Sequence, residues 1–138
     1  MRPTLLCVMA VCAGAATSRV SAADPPAQDC SKVPDYVEMV ACFGRDAHEA
    51  NAKVTQAYEL LMKRLGASPA ADKLRHSQKA WLEYQSAYCE FVKSANEGGS
   101  IVRVTGASCY ASTAKSRLQE LEYQVNCQEG WAGCFREP

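Results

Sequence analysis

Leu74-Arg75-His76-Ser77-Gln78-Lys79-Ala80-Trp81-Leu82-Glu83-Tyr84-Gln85-Ser86-Ala87-Tyr88-Cys89-Glu90-Phe91-Val92-Lys93-Ser94-Ala95 is the stretch whose reading decides the fold. Within it Leu74, Ser77, Trp81, Tyr84, Tyr88, Phe91 and Ala95 recur at gaps that alternate between 3 and 4, which puts them on one face of an α-helix. Four of these seven are aromatic, and a ring can bury ~150–250 Å², enough to organise a small core. The stripe therefore reads as core packing and not as a ligand box.

Helical signals extend to both sides of this stretch. Upstream, Phe43, Ala47, Ala50, Val54, Tyr58, Leu61 and Leu65 recur at gaps of 4, 3, 4, 4, 3 and 4, also one helical face. Asp35, with Glu38 three residues on, can cap that helix, and Gly66 ends it. Ser68-Pro69 opens the next helix as N-cap and first helical residue, and Gly98-Gly99 closes it. Downstream, Tyr110, Ala114, Leu118, Leu121 and Val125 form a third stripe with Ser100 as its expected cap, while Val102, Val104, Thr105 and Gly106 weaken its first turns. No strand pattern or internal repeat competes. Short connections make antiparallel neighbours, so the expectation is an all-α, up-down-up three-helix bundle.

The amino terminus looks like an export signal. Residues 1–23 carry Arg2, an apolar run from Leu5 to Ala16 and the small residues Ser21-Ala22-Ala23 before the expected cut. The run is shorter than the ~20 residues that cross a bilayer. Val11 before Cys12 is too bulky for a lipoprotein cleavage site. Cleavage leaves residues 24–138 with 13 basic and 15 acidic side chains, a net charge of about −2. That balance gives no basic footprint for nucleic acid, and no membrane association is expected after cleavage.

Of eight cysteines, six survive the cut: Cys30, Cys42, Cys89, Cys109, Cys127 and Cys134. None forms a Cys-x-x-Cys pair, so three disulfides in an oxidising compartment are expected, with neither metal nor cofactor. Folding about Gly99 brings Cys89 level with Cys109, and folding about residues 65–66 brings Cys42 to the same end, near Cys30. Cys127 lies 18 residues past Cys109, ~27 Å along a helix, and should close on Cys134. Within the first four, Cys30–Cys42 and Cys89–Cys109 are preferred, with crossed pairings open. The expected organisation is a signal peptide at 1–23, an extended segment at 24–34, a helical domain at 35–126 and a disulfide-closed tail at 127–138.

No enzymatic constellation stands out. His48 and His76 are isolated, Gly98-Gly99-Ser100 lacks the Gly-Lys-Ser/Thr run of a phosphate loop, and Glu120 and Glu122 point to different sides of a helix. The chain reads as a non-enzyme that works through a surface.

The run from Leu74 to Trp81, then Tyr84, Cys89, Gly98-Gly99-Ser100-Ile101 and Cys109, resembles the LprI-like lysozyme inhibitor family. Glu38-Met39 with Cys42, the segment from Ala50 through Tyr58 to Leu61, and Thr113, Arg117 and Leu121 extend the similarity over about residues 30–121. Val54-Thr55 and Ser112 depart from the family pattern, and the tail from Asn126 to Pro138 looks like an addition. The resemblance implies a lysozyme as protein partner. Lysozyme cleaves peptidoglycan with two carboxyl groups in a cleft, and an exposed loop could fill that cleft. The candidate is Gly98, Gly99, Ser100, Ile101 and Arg103, which offer close backbone approach, a hydroxyl, an apolar contact and a positive charge. The Trp131 tail and the helix faces are alternative contact surfaces. A structural or interaction protein of the cell envelope is the rival function.

Overall fold

The computed structural model describes residues 29–128 and 130–135. The expected signal peptide lies outside them. Among the described residues the elements are a 3-10 turn at Cys30–Lys32 and three helices, α1 (Tyr36–Leu65), α2 (Pro69–Ser94) and α3 (Val102–Val125). No strand occurs among these residues, and none of the helices is long and apolar enough to cross a membrane.

The helix ends follow local chemistry. Asp35 accepts the Glu38 amide at 2.8 Å, and Ser68 accepts the Ala71 amide at 3.2 Å ahead of Pro69. Gly66 closes α1 with φ of 55°, a left-handed value that glycine adopts without strain. One expectation fails: Ser100 does not cap α3. Ile101 is the N-cap residue, with helical dihedrals and no side-chain hydrogen bond, because the chain enters α3 already coiled.

Helix α1 packs chiefly against α3, and α2 also leans on α3 more than on α1. Ala50, Val54 and Leu61 of α1 form the main core with Ala114 and Leu121 of α3, and Leu74 and Trp81 of α2 pack against it. The predicted stripes of α1 and α3 thus face inward. α1 and α3 run in the same direction. Tyr36 lies at the level of Ser100, Asp46 at that of Lys115 through a 2.6 Å ion pair, and Arg64 donates to the Val125 carbonyl at 2.5 Å.

α2 departs from expectation. Trp81 is partly buried, but Tyr84, Tyr88 and Phe91 are 55, 41 and 72% exposed. The residues buried in their place are Gln85 and Cys89. This rotation accompanies the Cys89–Cys109 disulfide, with Cα atoms 5.6 Å apart, which faces Cys89 toward α3, and the hydrogen bonds that Gln85 donates to α3. Tyr84 and Phe91 then lie on the outer face of the helix, and Tyr88 stands at the rim of a groove that Cys109 also lines. The aromatic core read from the sequence is therefore corrected to a core of aliphatic, alanine and cysteine side chains.

All three bridges form as preferred, with Cys30–Cys42 and Cys127–Cys134 completing the set. Each such bridge contributes roughly 2–4 kcal/mol, a large share of what a small helical core supplies.

Candidate functional site

The loop between α2 and α3 is built by a series of tight turns. The Asn96 amide donates to the Lys93 carbonyl at 3.0 Å, the Gly99 amide to the Asn96 carbonyl at 3.0 Å and the Val102 amide to the Gly99 carbonyl at 3.3 Å. Gly98 adopts φ of 77°. A Cβ on Gly99 would lie 3.2 Å from the Asn96 carbonyl oxygen, so the second glycine lets the turn close.

Two anchors hold the loop. The Tyr36 hydroxyl donates to the Ser100 carbonyl from the start of α1, and Asn96 donates to the Thr105 hydroxyl at 3.2 Å. Beneath them the Cys89–Cys109 bridge ties together the helices that carry the loop. Gly106, read from the sequence as a weak point in α3, serves this junction: a Cβ there would lie 3.0 Å from the Lys93 side chain, so glycine lets the Lys93 stem pass close. The hydrogen bond that the Lys93 ammonium donates to the Glu90 carboxylate holds that ammonium above the usual lysine range.

Gly98, Gly99, Ser100, Ile101 and Arg103 are all exposed, so the structure brings the predicted residues together on one projecting end. Arg103 makes no ion pair among the described residues. The end therefore presents a hydroxyl, a half-exposed isoleucine and a guanidinium on a backbone fixed from three sides.

Along the flank of α2 the rings of Tyr84 and Tyr88 stack, with centroids 5.4 Å apart and planes at 10°, and Phe91 follows at 6.4 Å from Tyr88. This ridge borders a groove of about 420 Å³ floored by α3, with Phe43 and Asp46 on one wall and Tyr88 and Val92 on the other. The tail takes a different position. Its Trp131 stacks on Tyr123 at 5.6 Å, and Gln124 accepts the Phe135 amide at 3.3 Å, so it folds onto the far end of α3.

Buried polar groups sit between the helices. Gln85 donates to the Thr113 hydroxyl at 3.0 Å and the Tyr110 carbonyl at 3.3 Å. Arg117, almost fully buried, donates to Gln78, Ser77 and Glu120 and lies 6.0 Å above the Trp81 ring. These satisfied side chains fix the register of α2 on α3. Sequence reasoning missed them; a Gln or Arg on a helix carries no periodic signal of burial. Glu120 is thus an ion-pair partner, Glu122 is exposed, and His48 and His76 are exposed on α1 and α2. No cluster of three or more metal-ligating side chains occurs among the described residues.

The disulfide-stapled bundle thus presents a braced loop and an exposed aromatic flank. Residues 28–121 match the model of the family described as lysozyme inhibitor LprI. The match covers more than half of the chain and includes all three bundle helices nearly to the end of α3, and the chain belongs to this family. It is also 28% identical, over 119 residues, to an uncharacterized protein of Rhizobium meliloti (strain 1021), across 78% of this chain and 86% of that protein. No solved structure matches significantly. The family is one of inhibitors and not of enzymes. Its membership, together with the disulfides, indicates an extracytoplasmic protein.

Proposed function

We propose that the protein is exported by residues 1–23 to the periplasm or beyond, where it inhibits a peptidoglycan-cleaving lysozyme by occupying its cleft. Membership of the LprI family over the helical domain is the single observation that carries this reading. The loop Gly98–Arg103 is the inserting element. The main competing explanation for Ser100, that it caps α3, falls away because the α3 N-terminus has no side-chain cap. Its hydroxyl is exposed and free to face an enzyme carboxylate, with Arg103 as a charged donor and Ile101 against the sugar-binding groove. The Tyr36 and Cys89–Cys109 anchors lower the ordering cost of insertion. The described part of the tail, residues 127–128 and 130–135, packs on α3 away from the loop and is read as an accessory.

The test adds oxidised residues 24–138 to c-type, g-type and i-type lysozymes acting on bacterial cell walls, with lysis rate and complex formation measured together. Dose-dependent loss of lysis is expected. Ser100→Ala and Arg103→Ala should weaken inhibition at unchanged helicity, whereas full potency in both variants would remove the loop from the mechanism. Unchanged lysis with no complex would point to an envelope docking protein instead.

A further inference from the structure

α2 is inside out for a helix of this composition. It buries the amide of Gln85 and leaves Tyr84, Tyr88 and Phe91 in water, although rings are among the side chains that gain most from burial. On a helical projection these rings share a strip with Ser77, Ala80, Ala87, Ser94 and Ala95, and from Ser77 to Ala95 that strip carries no charged residue. The strip is about 27 Å long at 1.5 Å per residue, and it leads directly into the loop at Gly98.

A specific protein interface takes ~800 Å² and ~20–30 residues from each partner. The six residues from Gly98 to Arg103 fall well short of that. The exposed parts of the three rings add roughly 300 Å² of contiguous aromatic surface. Tyr84 and Tyr88 are already stacked on one another, so little rotamer freedom remains to be lost on binding. Aromatic side chains of this kind dominate interface energetics.

From this surface we infer that the Tyr84–Tyr88–Phe91 ridge is the principal docking face for the lysozyme, with the loop entering the cleft beyond it; the inference rests on the functional reading above. The occupant is the enzyme, because the loop alone falls short of the area a stable inhibitor complex needs and the α2 strip runs directly into the loop. Beside the strip Glu83 and Glu90 pair with Lys79 and Lys93, so its border is charged but balanced, and the fit to the enzyme rests on the apolar area and its continuity with the loop.

The experiment titrates wild-type protein and the variants Phe91→Ala, Tyr88→Ala and Leu82→Ala with the lysozyme inhibited most strongly in the lysis assay. Circular dichroism and thermal midpoints establish that each variant is folded, and sedimentation is run on each protein alone. Phe91→Ala and Tyr88→Ala should each weaken binding at least tenfold. Leu82, exposed on another side of α2, should change it less than twofold. Wild-type binding with equal affinity in all three variants would overturn the ridge and leave the inhibitor reading intact. A wild-type dimer that Phe91→Ala converts to monomer, with lysozyme affinity unchanged, would give the ridge to a second copy and also overturn it. Absence of any wild-type complex with the whole panel would overturn the functional reading itself, and the ridge assignment with it.

Discussion

α1 and α2 each carry a stripe of apolar side chains at helical spacing, yet only α1 keeps its stripe covered along its length. Val54 and Leu61 of α1 are 1 and 5% exposed, while Tyr84 and Phe91 of α2 stand largely in solvent. The difference shows what periodicity encodes. It tells which residues share a face and leaves open whether a second element will cover that face. In α2 the lower part of the stripe, Leu74 and Trp81, meets the core. The upper part is turned away by the disulfide at Cys89 and by the hydrogen bonds of Gln85.

Truncating the covered stripe should have the largest effect. Leu61→Ala or Leu121→Ala removes methylenes from the centre of the α1–α3 seam and should cost about 2–5 kcal/mol in denaturant unfolding. Replacing both Cys89 and Cys109 by Ala comes next, at about 2–4 kcal/mol, and tests whether the bridge sets the rotation of α2. Greater protection of Tyr84 and Tyr88 in that variant, read by solvent-exchange or quenching measurements, would show that the bridge holds the rings outward. Gln85→Ala should cost about 1–3 kcal/mol, because Thr113 and the Tyr110 carbonyl lose their donor in a partly buried site. Phe91→Ala should leave stability within about 0.5 kcal/mol, since its ring packs on little in the free protein. A loss comparable to that of Leu61→Ala would erase the contrast between the two helices.

The smallest effect belongs to the exposed Glu90–Lys93 pair beside the loop. Its hydrogen bond raises the folded ammonium above the ordinary lysine value of 10.5, so its stabilisation is present below that pH and fades as pH rises through the folded value. Glu90→Gln should abolish that small alkaline dependence in a thermal-midpoint series.

Much of the fold was legible in the sequence because the signals were local and mutually consistent. Asp35, Gly66 and Ser68-Pro69 mark helix ends through backbone chemistry that needs no tertiary context, whereas α2 ends at Ser94, four residues before Gly98. Helix rise and two turns place Cys89 level with Cys109 and keep Cys127 apart, but they leave crossed pairings among Cys30, Cys42, Cys89 and Cys109 open, and only the packed helices decide between them. The rotation of α2 was not legible, because the preference of four aromatic residues for burial competes with a single covalent link whose direction emerges only from packing. Ser100 illustrates a second limit. Its type suits a cap, but the residue that begins α3 is fixed by dihedrals already helical at Ile101. Gly106 illustrates a third, since its reason is the Lys93 stem crossing from another helix. The loop Gly98–Arg103 could be singled out because glycines and an exposed arginine mark a projecting turn. The ridge beside it could not, since its residues had every reason to be core.

The most direct test of the central claim, that this bundle works by presenting one end and one flank to a lysozyme, is amide hydrogen exchange on the oxidised mature protein with and without the enzyme, at concentrations where lysis is blocked. Slowed exchange is predicted from the upper half of α2 through the α2–α3 loop to the first turn of α3, with the Cys127–Cys134 tail unchanged. Protection confined to the tail, or a lysozyme that leaves every amide of the protein unaltered, would contradict it.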